Sequence, residues 1–274
     1  MFINVAQNVV WEISSPQVMG IINITQDSFY EKSRQNNIDG FLLKAAQMIQ
    51  EGADIIDMGA QSTRPGAEMI DIDTEISHLL PYITAFKNAY PNQLISVDTF
   101  NPIVAEEVLK AGAHIINDIS GASFDESILS VVSKYNAGYI GMHINGTFST
   151  MHEVPQRKDI IDSIIEYFQH KKELLARVGI TNWVMDPGFG FGKTVQENFD
   201  IVKRLKELKV VELPILLGVS RKSSIYKTLG ITADEALNGT TVLNTLGLLN
   251  GASILRVHDV KEAKEIIRLL PYIQ

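Results

Sequence analysis

The chain has 274 residues, 45% of them hydrophobic and 20% charged, which is enough apolar material for one sizeable core or two small ones. A formal charge of −8 denies it the basic surface that attracts phosphate backbones or anionic lipid, so neither nucleic acid nor a membrane is an expected partner. The absence of cysteine excludes disulfides, thiolate metal sites and a catalytic thiol, and agrees with a reducing cytoplasm.

The opening segment, MFINVAQNVVWEISS, has no cationic start and no long apolar run, so it predicts neither a signal peptide nor a membrane span. A soluble cytoplasmic protein is the expectation. Phe2 to Val5 and Val9 to Ile13, on either side of Gln7-Asn8, predict a β-hairpin within residues 1–17. Eight short apolar runs rich in β-branched residues then predict strands: Val18 to Asn23, Asp54 to Met58, Leu94 to Val97, His114 to Asn117, Gly138 to Met142, Trp183 to Met185, Pro214 to Val219 and Ser253 to Val257. Between them, stretches such as Asp39 to Glu51, Asp73 to Ala89, Pro102 to Ala111, Ile160 to Val178 and Val260 to Leu269 repeat their apolar residues at helical spacing.

Strict alternation of strand and helix predicts parallel strands joined by crossover helices. Gly52 to Asp57, Gly112 to Asn117 and Gly251 to Arg256 share one grammar: a glycine ending a helix, a small residue, an apolar strand and a polar end. One structural unit is being reused. Eight such units in about 250 residues is the size of a (β/α)8 TIM barrel, with a doubly wound open sheet as the competing arrangement. No Pro/Gly/Ser-rich linker divides the chain, so residues 1–274 are expected to form one α/β barrel domain, with the hairpin closing its lower end.

In such a barrel the chemistry gathers where the strands end. Those positions read Asn23, Asp57, Asp98, Asn117, Asp118, His143, Asp186, Ser220-Arg221-Lys222-Ser223, Arg256 and His258. Any one Asp or Asn there is more often a turn former or helix cap; polar ends on nearly every strand are harder to dismiss. Arg64, Lys222, Arg256 and His258 suit an anion, while Asp98, Asn117 and Asp186 suit a flat polar heterocycle, so the expected ligand has two chemically different ends. A carboxylate and histidine metal site is the rival, but only His143 and His258 fall on strand ends. The other histidines, including His152, read as structural or solvated.

DPGFGFGKT, residues 186–194, imitates a phosphate loop. A Walker A loop needs four residues between its glycines, whereas three separate Gly188 from Gly192. It is not a dinucleotide fingerprint either, because GFGFG lacks the G-x-G-x-x-G spacing. What remains is Asp186 at a strand end, followed by a glycine-rich loop that carries Phe191 to the pocket mouth, with Lys193 peripheral.

VMGIINITQDSF, QSTRPGA, SVDTF, INDISG, GMHINGT, DPGFGFGK, GVSRKS and RVHDV resemble, in that order and along almost the whole chain, the bacterial dihydropteroate synthases, a pterin-binding family. The resemblance implies a transferase that joins 6-hydroxymethyl-7,8-dihydropterin diphosphate to p-aminobenzoate, releasing pyrophosphate. It implies that Asp98, Asn117, Met142, Asp186, Gly218 and Lys222 hold the pterin. Asn23, Arg64, Arg256 and His258 would hold the diphosphate, with Mg2+ at Asn23; with Lys222, these four would be the catalytic set. Asp27, Ser28, Phe29, Ser62, Thr63, Phe191 and Ser223, the last at a helix start, would form the p-aminobenzoate site. It also implies a homodimer, joined through late helices such as Glu235 to Asn250. Gln26, Tyr30 and Gln61 depart from the usual loop residues, as does Ile144-Asn145-Gly146-Thr147-Phe148. A methyltetrahydrofolate-dependent methyltransferase would share the pterin contacts without needing the anion site. A non-catalytic pterin-binding module would be expected to lose Arg64, Lys222, Arg256 or His258, all of which stand in the sequence.

Overall fold

The computed structural model describes residues 1–24, 34–63, 66–155 and 158–273, the side chains of residues 34–36 excepted. A short hairpin, β1 (Phe2–Val5) and β2 (Val9–Glu12), comes first. Gln7 and Asn8 take positive φ at its turn, as a tight hairpin turn requires. Eight parallel strands follow: β3 (Gln17–Asn23), β4 (Ile55–Gly59), β5 (Leu94–Asp98), β6 (Ile115–Asp118), β7 (Gly138–Met142), β8 (Val184–Asp186), β9 (Leu216–Leu217) and β10 (Ile254–Val257). Each pairs with its neighbours in the order β8-β7-β6-β5-β4-β3-β10-β9. A parallel bridge from Met185 to Ile215, with Met185 N–H donating to Pro214 O at 3.0 Å, joins the two ends. The sheet is a barrel, as the alternation predicts.

Helices α1 (Arg34–Glu51), α2 (Ile72–Ala89), α3 (Pro102–Lys110), α4 (Ser127–Lys134), α5 (Ile160–Arg177), α6 (Val195–Lys203), α7 (Ser223–Leu229), α8 (Leu237–Leu249) and α9 (Val260–Leu269) connect the strands, and α9 packs beside α1 to complete an outer ring. Their ends follow local chemistry. Asp71, Asn101 and Asp159 accept N–H bonds at the starts of α2, α3 and α5, and Thr194 with Glu197 forms a capping box on α6. The repeated Gly-Ala pairs are Schellman closures of α1, α3 and α8. Gly52, Gly112 and Gly251 have φ of 106°, 113° and 101°, and the next alanine donates back to Met48, Val108 or Gly247. Two boundaries differ from expectation. The ninth strand shrinks from Pro214 to Val219 to two residues because proline cannot donate to the ladder and Val219 already accepts the turn bond from Lys222 N–H; α1 begins at Arg34, five residues before the first regular apolar spacing.

Period-two alternation then decides what enters the barrel. Val18, Ile56, Ile95, Ile116, Met185, Leu217 and Leu255 face outward into the core shared with the helices. Met19, Ile55, Ile115, Ile140, Val184, Leu216 and Ile254 face inward and pack with Ile3, Val5, Trp11 and Ile13 of the hairpin segment. This apolar plug fills the lower barrel, each fully buried side chain stabilising by about 1.5–3 kcal/mol. Two residues further along most of these strands, the inward positions turn polar.

Candidate active site

The inward residues above the plug form a charged floor. Asp57, wholly buried, accepts from Ser96 Oγ at 2.6 Å, Asn117 Nδ2 at 3.1 Å and Arg256 Nε at 2.7 Å. Arg256 Nη2 lies 2.6 Å from Asp57 Oδ2 and 2.7 Å from Asp98 Oδ2. Among the described residues Nη1 has no hydrogen-bond partner. Burial pushes the Asp98 carboxyl up, against the pull of Arg256, with Asp57 and Glu75 adding to the upward push. Gly59 makes room for it: a Cβ there would stand 3.1 Å from that of Asp98. Asp57, an acceptor-only group, fixes the Asn117 amide with its nitrogen inward to the carboxylate, so Oδ1 remains as the acceptor for a ligand.

Beside the floor, Asp186, Lys222 and Arg256 converge on Gly218. A methyl built on Gly218 would lie 3.9 Å from Asp186 Oδ2, Lys222 Nζ and Arg256 Cβ alike, so glycine keeps this space open. Asp186 Oδ1 accepts Gly188 N–H at 2.7 Å. Burial raises its pKa, while Lys222 and that N–H oppose the rise. Burial lowers Lys222 to about 8, with Asp186 opposing and Arg256 assisting. Its ammonium donates to Phe189 O and stands 4.8 Å from the centroid of Phe191.

The rest of the 186–194 stretch is scaffolding. Lys193 is buried, not solvated; its ammonium donates to the carbonyls of Gly188 at 2.8 Å, Phe191 at 2.9 Å and His143 at 3.4 Å. Thr194 caps α6. The Gly-Lys-Thr that imitates a phosphate loop therefore clasps its own backbone and starts a helix. Asn198, which the sequence does not single out, extends this clasp by accepting from Gly190 N–H at 2.6 Å and donating to Ser224 Oγ at 3.0 Å.

On the far side, Ser220 Oγ accepts His258 N–H at 3.1 Å and lies 3.0 Å from His258 Nδ1. In the tautomer in which the hydroxyl donates to Nδ1, Nε2 is the protonated, donating nitrogen. Burial, with Arg256 nearby, lowers this imidazole to about 4, so it is neutral near pH 7. Arg221 faces elsewhere: it grips Asp259 at 2.8 and 2.9 Å and the carbonyls of Ala233 and Asp234. Asp118 also turns outward, accepting Tyr139 Oη and two backbone N–H groups. His143 packs on Tyr167 at 5.0 Å, on the opposite side of its strand from Met142. Among the described residues, no three His, Asp or Glu side chains gather where they could hold a metal ion.

An apolar wall of Phe100, Ile119, Met142, Ile144, Met151 and Phe191 stands over the floor, with Phe124 and Phe148 against it. Asn23 is exposed at the end of β3, Ser62 and Thr63 are half-buried in the loop after β4, and Ser223 opens α7. Arg64, Asp27, Ser28 and Phe29 lie outside the described residues. The family of pterin-binding enzymes matches residues 19–258. The Escherichia coli dihydropteroate synthase is 38% identical over 267 residues, 97% of this chain and 94% of that protein. This chain belongs to the dihydropteroate synthase family. Solved relatives agree in fold. The Clostridium difficile synthase, determined in the presence of pteroic acid, has a TM-score of 0.89 and 39% identity, covering 95% of this chain and 97% of that one. The Xanthomonas albilineans synthase with 4-aminobenzoic acid has a TM-score of 0.90 at 28% identity, covering 99% and 98%.

Two departures from the family's usual residues acquire a physical meaning. Gln61 stands where a glutamate is usual; its Nε2 donates to Ser62 O at 2.8 Å and Glu68 O at 3.0 Å, and its Oε1 accepts Ile70 N–H at 2.9 Å. A carboxylate could not donate, so the amide pins both ends of the loop after β4 in a way glutamate would not. Ile144 and Phe148, in place of the usual Arg-bearing segment, join the apolar wall.

Proposed function

We propose that this synthase condenses 6-hydroxymethyl-7,8-dihydropterin diphosphate with p-aminobenzoate, using the floor around Gly218 to hold the pterin. The observation that carries the assignment of residues is the convergence of Asp186 Oδ2 and Lys222 Nζ on that open space, bordered by the Arg256 Cβ, in a chain whose family performs this transfer. Asp186 Oδ2 and Asn117 Oδ1 accept N–H bonds from the ring, the Lys222 ammonium donates to its carbonyl, and Met142 packs on its face. Asp98 shares Arg256 with Asp57 and keeps that guanidinium beside the ring.

The methylene C–O bond breaks, pyrophosphate leaves with the electron pair, and the electron-rich pterin delocalises the resulting cation. The neutral arylamine attacks that carbon and then loses a proton to solvent. The protein therefore needs to stabilise the departing anion and keep the ring still, and it needs no strong base. Arg256 Nη1, His258 Nε2–H and Arg64 serve the leaving diphosphate. A neutral histidine donor suits this, since it gives a hydrogen bond without depending on its own protonation near pH 7. Mg2+ fits the donor set: Asn23 offers one exposed neutral oxygen with no acidic cluster among the described residues, which suits an ion that would take its other ligands from diphosphate and water. When bound, Mg2+ neutralises charge on the leaving group.

The p-aminobenzoate is assigned to the Phe191 side with Ser62, Thr63 and Ser223, and Asp27, Ser28 and Phe29, outside the described residues, are assigned to it by the family resemblance alone. The active form is a cytoplasmic homodimer joined through the exposed face of α8. The test supplies the pterin diphosphate, p-aminobenzoate and Mg2+ and follows pyrophosphate and dihydropteroate. Folded protein that releases neither product overturns the proposal.

A further inference from the structure

His152 lies in the loop after β7, in a segment no strand end would nominate, yet it joins two other loops at the arylamine side of the site. Its Nε2 is 2.9 Å from the carbonyl oxygen of Thr63 in the loop after β4. A carbonyl only accepts, so Nε2 carries the proton in this contact. The ring stacks on Phe191, with centroids 5.5 Å apart and planes 18° from parallel. Phe191 in turn carries Lys222 over its ring at 4.8 Å. The two loops also meet through backbone: a Cβ on Gly192 would stand 2.8 Å from Glu153 O. Thr63, His152, Phe191 and Lys222 thus form one continuous contact chain, and Gln61 stiffens its first link by holding Ser62 O.

We propose that His152 is a positioning residue for the arylamine substrate. It fixes the plane of Phe191 and the height of Thr63, and so shapes the slot into which p-aminobenzoate must slide with its amine toward the pterin methylene. The proposal rests on the function given above. A flat substrate binds more tightly to a slot whose two walls are already held than to one it must first order, so holding both walls lowers KM for the arylamine. A histidine supplies both contacts at once, a flat ring for Phe191 and an N–H for Thr63. Phenylalanine keeps the first alone and glutamine can keep the second alone.

The protein and its His152→Ala, His152→Phe and His152→Gln variants are compared at saturating pterin diphosphate, with KM for p-aminobenzoate and kcat measured separately. His152→Ala is expected to raise that KM about tenfold or more while kcat stays within about twofold. Its affinity for the pterin, measured by calorimetry, and its melting temperature are expected to match wild type. Phe and Gln should each recover part of the loss. An unchanged KM, or a loss shared equally with pterin affinity and kcat, overturns the proposal. Amide exchange over residues 60–63 and 189–192 supplies a readout independent of turnover: it should quicken in His152→Ala, and no change overturns the coupling. A wild-type protein that makes no dihydropteroate would instead sink the functional reading, with the exchange result still deciding whether His152 joins the loops.

Discussion

The two oxygens of Asp186 have different occupations. Oδ1 holds the turn by accepting Gly188 N–H, and Oδ2 faces the space at Gly218. In Asp186→Asn one oxygen becomes an NH2 group, so either the turn or the pterin meets a donor where it needs an acceptor. Pterin affinity is expected to fall by roughly 1–3 kcal/mol, read by calorimetry; equal affinity would count against the assignment. Lys222 permits a test in pH. Burial holds its pKa at about 8, so the ammonium is charged below that value and loses its charge as pH rises through it. kcat/KM for the pterin diphosphate should therefore decline on an alkaline limb near pH 8, and Lys222→Arg, slower overall, should lose that limb because guanidinium does not deprotonate there. A limb unchanged in the variant would assign it to another group. Both residues are legible in sequence because each sits beside a recognisable turn. Asp57 is less so: it appears among the strand-end residues, yet its central place depends on Arg256, 199 positions away, folding down onto it. The same contact changes what Arg256 can be expected to do. Removing it leaves buried Asp57 and half-buried Asp98 without their shared cation, so Arg256→Ala should harm the pterin floor as well as diphosphate binding.

At the scale of elements, the first turn of α2 shows what a helix start can hide. Asp71 caps it, accepting from Thr74 N–H at 2.9 Å, and the acidic first turn suits the helix dipole. Glu75, one step further, is 4% exposed, and its Oε1 has no hydrogen-bond partner among the described residues. Burial pushes this carboxyl from 4.5 up to about 7, against a hydrogen bond with Thr99. The sign follows from proton binding. Between those two values the folded state holds more protons than the unfolded chain, so the contribution to stability is full below pH 4.5 and is lost as pH rises through 7. Glu75→Gln keeps a partner for Thr99 and removes the charge. It is expected to stabilise the protein at pH 8 by up to roughly 3 kcal/mol and to do little at pH 4.5. Urea midpoints at the two pH values check this; the same difference at both would contradict it. Capped helices and Gly-Ala closures are legible because their signals lie within a few residues. Burial of Glu75 is not, since its place in an acidic, helical stretch reads as a solvated face until Thr99, from the loop after β5, bonds to it.

The whole molecule obeys one rule that sequence alone only half reveals. Every barrel strand was expected to matter at its end, but alternation divides those ends into inward residues such as Asn117, Asp186, Arg256 and His258 and outward ones such as Asp118 and His143. Counting residues from the strand midpoint makes that division readable; reading the last polar residue does not. The same logic applies to the outer surface. α8 is apolar around much of its girth: Leu243, Gly247 and Leu248 are buried against the barrel, while Val242, Leu246 and Leu249 are 50, 43 and 42% exposed. These three lie at i, i+4 and i+7, on one stripe, and Leu229 of α7 is 54% exposed as well. In the homodimer proposed above, a second copy would cover this stripe with its own about a twofold axis. A stable pair needs about 1,200–2,000 Å2 of total burial, and the exposed Leu229 of α7 would extend the α8 stripe toward that area. Leu246→Glu places a charge at the stripe's centre while leaving the buried face of α8 intact. Sedimentation should therefore show a dimer for wild type and a monomer for Leu246→Glu, with thermal stability near that of an intact barrel. A monomeric wild type at micromolar concentration, or a variant that still pairs as tightly, would remove α8 as the joining surface.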